Sequence, residues 1–260
     1  MKLVEVHVRE FKSVWDSGPL RLDRATTCLV GKNEAGKTAL LEAIYRLNPI
    51  VEGDGIFDVT EDYPRSVVED YTQEVESGRR PSATVITATF QLEAPELKAI
   101  TMDLGPGALS KPFVVLRKGY TRSQDGSCEL QVEVPLAEGA IAEFLVEIFQ
   151  VPESLGKVAA KMTKLSQLAA YLKDTAKRQE LELKTATEAA ETLTDPADKA
   201  AAREYAETEQ SKALRARVAE LVAIKDLGRH VWETYLEPHL PKFLYFDKYY
   251  RWRVATTSRR

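Results

Sequence analysis

The strongest constraint on the fold is the segment GKNEAGKT at residues 31–38, which matches the pattern GxxxxGK[S/T] at every fixed position. It follows an apolar, β-branched run, TTCLV at residues 26–30, and it opens a helical pattern of apolar residues that begins at Lys37 and ends before Pro49. When a glycine-rich loop connects a strand to a helix, the backbone N–H groups of the loop can curve around a phosphate at the positive end of the helix. The sequence therefore predicts an α/β fold with a phosphate-binding loop; the alternative is a glycine-containing turn with a solvated lysine.

Each fixed residue of the loop has a physical task. Gly31 and Gly36 allow backbone conformations and a close approach that a Cβ atom would block. Lys37 brings an ammonium group to the β- and γ-phosphates, and the Thr38 hydroxyl is a ligand for Mg²⁺. Because the chain has no NKxD segment for guanine, we expect the cofactors to be ATP and Mg²⁺.

The rest of the first half of the chain predicts antiparallel strands. Alternation of apolar and polar residues predicts a strand over residues 2–11, and a second short strand is expected at 20–22. A strand is also expected over 84–92, and residues 113–134 indicate two strands joined at Asp125-Gly126. Nine acidic residues between positions 51 and 80 are typical of a solvated surface, so we assign no ligand to them.

Residues 139–237 are rich in Ala, Leu, Lys, Glu and Arg, which predicts helices. Asp195-Pro196 is the strongest break, since Asp is a good N-cap and Pro a good first helical residue, so two long helices are expected to meet there as an arm or hairpin. Leu165, Leu168 and Leu172 fit an apolar seam that does not continue as a coiled coil. Acidic and basic residues balance over 154–237, so the arm is not a basic stripe for DNA.

Composition excludes several classes of protein. No apolar run reaches the ~20 residues that span a bilayer, so we expect no membrane partner and a cytoplasmic location. With two cysteines and three histidines, neither a zinc site nor a disulfide framework is expected, and Cys28 and Cys128 are predicted to be buried thiols. The basic tail after residue 247 could contact a phosphate backbone, but a solvated terminus is the simpler interpretation.

Hydrolysis of ATP needs a metal carboxylate and a group that positions water, usually at an apolar strand that ends in Asp-Glu. The run FLYFD at residues 243–247 is the candidate, but Lys248 follows where Glu is expected. Asp247 is thus either a metal carboxylate or the end of a structural strand, and the catalytic residues stay unknown. The chain also has no LSGG-like segment.

Several of these features occur together in one family. REFKS at residues 9–13 after a strand, the loop GKNEAGKTALLEAI, antiparallel strands and a long helical insertion resemble the N-terminal half of the ABC-type ATPase head of the RecF, SMC and overcoming-lysogenization-defect (OLD) families. YPR at residues 63–65 and KFLYFDKYY at 242–250 are most similar to the OLD type, which includes anti-phage defence ATPases.

The resemblance implies an α/β fold: a P-loop ABC-type ATPase lobe, with a mixed sheet and an antiparallel β subdomain, and a long helical hairpin insertion. The expected boundaries are an ATPase lobe over residues 1–138, a helical insertion over 139–237, and a return strand with a basic tail over 238–260.

The resemblance also implies site residues. Lys12 is expected beside the nucleotide, Thr38 at the metal, and one glutamine, Gln73, Gln91 or Gln131, at Mg²⁺. The residues expected to hold ATP are Asn33, Glu34, Ala35, Gly36, Lys37, Thr38 and Ala39.

The partners implied are a second copy, in a homodimer or higher oligomer through the heads and the helical arm, DNA, and an effector or nuclease. The chain departs from the family because the signature motif, the Asp-Glu pair and the nuclease carboxylates are missing from it. We therefore expect either a fragment or a partner that supplies the rest.

Two functions follow: an ATPase head that couples dimerisation to DNA processing in repair or phage defence, or an ATP-dependent switch that recruits an effector without hydrolysis. A small-molecule kinase fits less well, since such enzymes continue with βα repeats.

Overall fold

The structure is a computed structural model, and it describes residues 1–32, 36–150, 161–174, 176 and 209–246. The chain divides into two compact units. The first contains residues 1–91, 114–132 and 239–260, and the second contains residues 92–113 and 133–238. Residues 92–113 thus group with the later helices, and the boundaries expected at 138 and 237 stay a prediction. No described helix is long and apolar enough to cross a membrane.

The first unit is built on a six-stranded sheet with the order β2-β1-β4-β5-β6, in which β3 also pairs with β1. Strand β1 is antiparallel to β2, β3 and β4, and its register with β4 shifts between Leu3 and Glu5. The strands are β1 (Lys2–Phe11), β2 (Val14–Asp16), β3 (Leu20–Arg21), β4 (Thr84–Gln91), β5 (Phe113–Arg122) and β6 (Cys128–Glu133). This architecture confirms the strands expected over 2–11 and 84–92, the short strand near residue 20 and the hairpin over 113–134.

The core of the first unit follows from the alternation in β1, which buries Val6, Val8 and Phe11 completely. Helix α1 (Lys37–Leu47) packs on β1 and β4 through a face that includes Ala43 and Leu47. Two short helices follow, α2 (Val59–Asp62) and α3 (Val68–Glu76). The predicted helix after the glycine-rich loop is therefore confirmed, and it ends just before Pro49.

An aromatic cluster holds α3 on the sheet. The rings of Tyr63 and Tyr71 stack with centroids 3.9 Å apart, and Tyr120 of β5 meets both rings edge-on. The Tyr120 hydroxyl donates a hydrogen bond of 2.7 Å to the carbonyl oxygen of Glu10. Such contacts contribute about 0.5–1.5 kcal/mol per aromatic pair beyond the area that they bury. The YPR segment thus begins with a core residue, because Tyr63 is buried.

The second unit is helical in its described part. It contains α4 (Ala94–Leu104), α5 (Glu138–Ile148), α6 (residues 165–174), α7 (Glu209–Ala223) and α8 (Leu227–Val231), followed by a π-helical turn over Trp232–Leu236. The leucines of the predicted seam at positions 165, 168 and 172 are buried, as are Leu214, Val218 and Leu221 of α7. Apolar rows on these helices therefore face the interior of the unit.

The helical region differs from two continuous long helices. Helix α5 ends at Ile148, Gln150 adopts a positive φ of 50°, and the next described helix begins at residue 165. The first expected helix is therefore interrupted after Ile148. The break expected at Asp195-Pro196 lies outside the described residues.

Two predicted strands are absent from the described part of the chain. Residues 26–30 have no regular structure, and Val30 is 94% exposed, because no described segment pairs with this apolar run. Cys28 is exposed for the same reason, so its predicted burial was wrong, whereas Cys128 is buried as predicted. Residues 242–246 form only a single parallel bridge, between Phe243 and Pro49, and Asp247 lies outside the described residues.

Candidate nucleotide-binding site

The site is built around the start of α1, where the last glycine of the loop turns the chain into a helix. Gly36 is the N-cap and adopts the left-handed conformation, with φ at 81° and ψ at 8°. None of the described side chains caps this end of α1, and its first turn holds no acidic residue. Backbone N–H groups at an uncapped helix N terminus attract an anion, because the helix dipole is positive there.

The turn between β1 and β2 packs directly on this glycine. A Cβ atom on residue 36 would lie 2.6 Å from Val14 Cγ2 and 3.5 Å from Ser13 Oγ. Glycine is therefore needed at this position for two independent reasons, its positive φ and the lack of space. This contact brings the REFKS segment against the GKNEAGKT loop, although seventeen residues separate the two in sequence.

The Lys37 side chain lies over its own loop. Its ammonium group donates hydrogen bonds of 2.7 Å to the carbonyl oxygen of Gly31 and 2.6 Å to that of Lys32. The lysine that ends the loop is thus bonded to the two residues that begin it, and its ammonium group lies at an exposed position. An ammonium group held by carbonyl oxygens can turn toward phosphate oxygens, which are stronger acceptors because they are charged.

The other predicted ATP-binding residues divide into three groups. The Thr38 side chain is exposed on the first turn of α1, where its hydroxyl is free to face a metal ion bound at the phosphates. Ala39 is buried, so only its backbone N–H could face a phosphate. Asn33, Glu34 and Ala35 lie outside the described residues.

Lys12 contacts a carboxylate. Its ammonium group donates to both carboxylate oxygens of Glu42, at 2.6 Å and 2.5 Å, and lies 3.8 Å from a carboxylate oxygen of Asp62. Its backbone N–H donates a bond of 2.6 Å to the carbonyl oxygen of Asp62, and its φ of 52° is left-handed. The direct contact between Lys12 and nucleotide that the resemblance implies stays a prediction.

Arg46 extends this ion-pair cluster along α1. Its guanidinium donates to Glu42, one helical turn earlier, at 2.6 Å and to Asp62 at 2.5 Å. Burial alone would lower the pKa of Arg46, but the carboxylates of Asp62 and Glu42 raise it above its usual value. Asp62 is only 2% exposed, so the prediction that the acidic segment is solvated was wrong at this residue. The two cations and two anions balance, which is the condition for keeping a charge buried.

An open cleft of about 540 Å³ runs along the same face of α1, from Thr38 past Glu42 to Tyr245. Its other carboxylates come from the acidic segment, at Asp54, Asp58, Glu61 and Asp62. A negative cleft repels phosphate, so a phosphate group would bind on the loop side of Thr38. Among the described residues, no three His, Cys, Asp or Glu side chains are grouped so that they could hold a metal ion.

None of the glutamine candidates for Mg²⁺ lines the cleft beside Thr38 in the described part of the chain. Gln91 pairs with Lys2 in the β1–β4 register, at the end of β1 opposite to the turn that contacts Gly36. At about 3.4 Å per residue, the length of β1 separates them by roughly 30 Å. Gln73 and Gln131 are exposed, on α3 and β6, and neither lines the cleft beside Thr38.

The comparison with known families is consistent with this geometry. Residues 1–90 match the family model of an AAA ATPase domain. The match supports a P-loop ATPase family, and it contains β1, the glycine-rich loop, α1 and most of β4. It does not distinguish the RecF, SMC and OLD class from other ATPases. No curated protein and no solved structure matches the chain.

The residues that sequence reasoning missed all lie within the span of the AAA ATPase match. Glu42 and Arg46 are four residues apart, a spacing that indicates an ion pair on one helix face. Asp62 carries no such signal, because its partners Lys12 and Arg46 are distant in sequence. Only folding brings the three elements together.

Proposed function

We propose that this chain is an ATP-binding ATPase head, which uses the loop at residues 31–38 to hold the phosphates of ATP and Thr38 to hold Mg²⁺. The observation that carries the proposal is the start of α1, where a left-handed glycine precedes a helix that begins with a lysine and a threonine and has no side-chain cap. The AAA ATPase match over residues 1–90 supports the same nucleotide. Mg²⁺, when bound, would neutralise charge on the β- and γ-phosphate oxygens.

The residues have separate tasks in this proposal. The backbone N–H groups of Lys37, Thr38 and Ala39 would face the β-phosphate, since they begin a helix with no acidic residue in its first turn. The Lys37 ammonium would leave the carbonyl oxygens of Gly31 and Lys32 for the β- and γ-phosphates. Asn33, Glu34 and Ala35 would complete the loop around the phosphates.

The wider role that we propose is to couple ATP-driven dimerisation of two heads to DNA processing, in repair or phage defence. The RecF, SMC and OLD resemblance supports this role, with the helical part of the chain as a second contact between copies and a nuclease or other effector as partner. DNA binding rests on the resemblance alone, because the charge balance of the helical region does not favour it.

A second function is favoured by a specific observation. The sequence holds no LSGG-like segment and no apolar strand that ends in Asp-Glu. Because hydrolysis needs a metal carboxylate and a group that positions water, an ATP-dependent switch that hydrolyses little and recruits an effector is the alternative.

One experiment separates these functions. Binding of ATP with Mg²⁺ is measured by calorimetry for the parent chain, Lys37→Ala and Lys32→Ala, an exposed lysine in the same loop. Lys37→Ala should weaken binding about tenfold to a hundredfold, since a hydrogen bond to a charged group contributes about 1.5–3 kcal/mol. Lys32→Ala should bind like the parent. If all three chains bind ATP equally, the assignment of the ATP site to this loop is wrong.

Turnover is then measured with the same chains at high protein concentration, where two heads can meet. Phosphate release above the Lys37→Ala background supports the ATPase head. Binding without release supports the switch.

A further inference from the structure

The cluster of Lys12, Glu42, Arg46 and Asp62 lies beside the loop, but no step of ATP binding proposed above uses it. Its members come from three elements: the β1–β2 turn, helix α1 and helix α2. All four side chains are at least partly buried, with exposures of 35% for Lys12, 21% for Glu42, 19% for Arg46 and 2% for Asp62. A cluster that joins three elements restrains their relative positions.

The β1–β2 turn touches α1 at two separate points. One is the contact of Val14 with Gly36, and the other is the ion pair of Lys12 with Glu42. Gly36, the N-cap of α1, and Glu42 within the helix are six residues apart, which is about 9 Å along a helix axis at 1.5 Å per residue. A single contact would act as a pivot, whereas two contacts at this spacing fix the direction of the turn against the helix.

The conformation of the turn itself depends on the same residue. Lys12 has a φ of 52°, which a residue with a Cβ atom adopts only at a cost of about 1–2 kcal/mol. Its backbone N–H bonds to the carbonyl oxygen of Asp62, and its side chain bonds to Glu42, so the tertiary structure holds the turn in this conformation.

We propose that Lys12 and Glu42 are a positioning pair, which holds Val14 against Gly36 and thereby fixes the backbone at Gly36, where the glycine-rich loop enters α1. The proposal rests on the proposed function for its effect on ATP, but its effect on the backbone at Gly36 does not. It gives Lys12 a task that is different from direct contact with the nucleotide, because Lys12 acts through Glu42 and Val14.

The two tasks predict opposite results for one variant. If Lys12 itself bound a phosphate, Glu42→Gln would free its ammonium group, and ATP affinity would stay the same or rise. If Lys12 acts through Glu42, then Glu42→Gln and Lys12→Met should each weaken ATP binding about tenfold, since a small misplacement of binding groups has effects of this size or larger. Lys12→Arg keeps the charge and should retain most of the affinity.

The double variant Lys12→Met/Glu42→Gln separates positioning from simple stability. Each single variant leaves the partly buried cluster with one charge in excess and should lower the unfolding temperature. The double variant removes both charges, so its unfolding temperature should recover toward the parent value while ATP binding stays about tenfold weaker. Arg21→Met removes an exposed ion pair with Glu5 on the same sheet, and it should change neither property.

A measurement without nucleotide completes the test. The N–H of Leu40 bonds to the carbonyl oxygen of Gly36 at 2.9 Å, and its hydrogen exchange reports on the first turn of α1. In Lys12→Met and in Glu42→Gln, exchange of the Leu40 amide should become about tenfold faster than in the parent. Exchange at later amides of α1 should change less. If the parent binds no ATP but this exchange still depends on Lys12, the proposed function fails and the positioning pair stands. The positioning role is overturned if the Leu40 amide exchanges as fast in both single variants as in the parent. It is also overturned if ATP affinity recovers together with stability in the double variant.

Discussion

The ammonium group of Lys118 on β5 donates a hydrogen bond of 2.8 Å to the carbonyl oxygen of Arg46, near the C terminus of α1. It also donates to the carbonyl oxygen of Leu47 at 3.3 Å. The last carbonyl groups of a helix have no partner within the helix, and a cation there also meets the negative end of the helix dipole. The sheet thus caps the helix whose other end follows the glycine-rich loop at residues 31–38.

Lys118→Met should destabilise the first unit, because it leaves two carbonyl groups at the end of α1 without their donor. The free energy of unfolding should fall by about 1–3 kcal/mol at neutral pH, the cost of an unsatisfied buried group. Urea denaturation measures the change, with Lys98→Met at an exposed position as the control. Equal stability of the two variants would mean that water satisfies these carbonyl groups.

The same lysine predicts a pH dependence. Burial lowers the pKa of Lys118 from its ordinary value of 10.5. Between the folded and unfolded pKa values, the unfolded chain binds more protons, so the contribution of Lys118 to stability rises as pH increases toward 10.5. The difference in free energy of unfolding between parent and Lys118→Met should therefore grow as the pH rises toward 10.5. A difference that shrinks over this range would contradict the burial of the charged group.

Asp62→Asn should be strongly destabilising, because Asp62 balances Arg46 inside the structure. Breaking a buried ion pair by removal of one partner costs about 3–5 kcal/mol, and the remaining bond from Arg46 to Glu42 should reduce this to about 2–4 kcal/mol. Glu61→Gln, at the exposed neighbouring position in α2, should change stability by less than about 0.5 kcal/mol. Thermal and urea unfolding measure the loss of stability in the two variants. Similar losses in Asp62→Asn and Glu61→Gln would refute the prediction.

Tyr235→Phe tests the second unit. The Tyr235 hydroxyl donates a bond of 2.7 Å to Asp103, which also accepts from Arg217. Burial, this hydrogen bond and the charge of Asp103 raise the pKa of Tyr235 to about 12. The contribution of Tyr235 is complete below the ordinary value of 10.0, and it is lost as pH rises toward about 12.

The parent should therefore be about 1–3 kcal/mol more stable than Tyr235→Phe at neutral pH, since the acceptor is charged. This advantage should shrink above about pH 10, when the hydroxyl ionises beside Asp103. Arg229→Met, which removes an exposed ion pair with Glu233, is the control and should cost less than about 1 kcal/mol. An advantage that does not depend on pH would show that the hydroxyl is not bonded to Asp103.

Gly36→Ala should damage both the fold and the site, because the new Cβ atom meets Val14 Cγ2 at 2.6 Å and the residue keeps a φ of 81°. Gly18→Ala is a matched control: its φ is 62°, but nothing lies within 4 Å of the added atom. We expect Gly18→Ala to cost about 1 kcal/mol and Gly36→Ala to cost about 2–3 kcal/mol and to abolish ATP binding. If the two variants are equally stable, the contact with Val14 is not tight.

Local patterns predicted the elements whose neighbours are close in sequence. The period-2 alternation of β1, the helical pattern that starts at Lys37 and the turn at Asp125-Gly126 all correspond to structure. In each, the side chains or the turn residues themselves carry the preference, so a short window contains enough information.

The run TTCLV shows where such reasoning fails. Its residues favour a strand, but a strand exists only when another strand supplies its hydrogen bonds, and no described segment does so. The same holds for residues 242–246, which reach one partner at Pro49. The prediction that the acidic segment is solvated was wrong at Asp62 for the opposite reason. Asp62 is buried because two cations on distant elements, Lys12 and Arg46, lie beside it.

The amino-acid sequence by itself determined the glycine-rich loop, the helix that follows it and the nucleotide class that both suggest, because glycine conformation, a lysine and a hydroxyl are properties of single residues at a fixed spacing. The tertiary structure alone decided that Val14 lies on Gly36, that Glu42 and not solvent holds Lys12, and that Asp62 is buried. These contacts join the turn after β1, the start of β2, α1 and α2, which are distant in sequence. Their energies depend on burial and distance, which the chain acquires only when it folds.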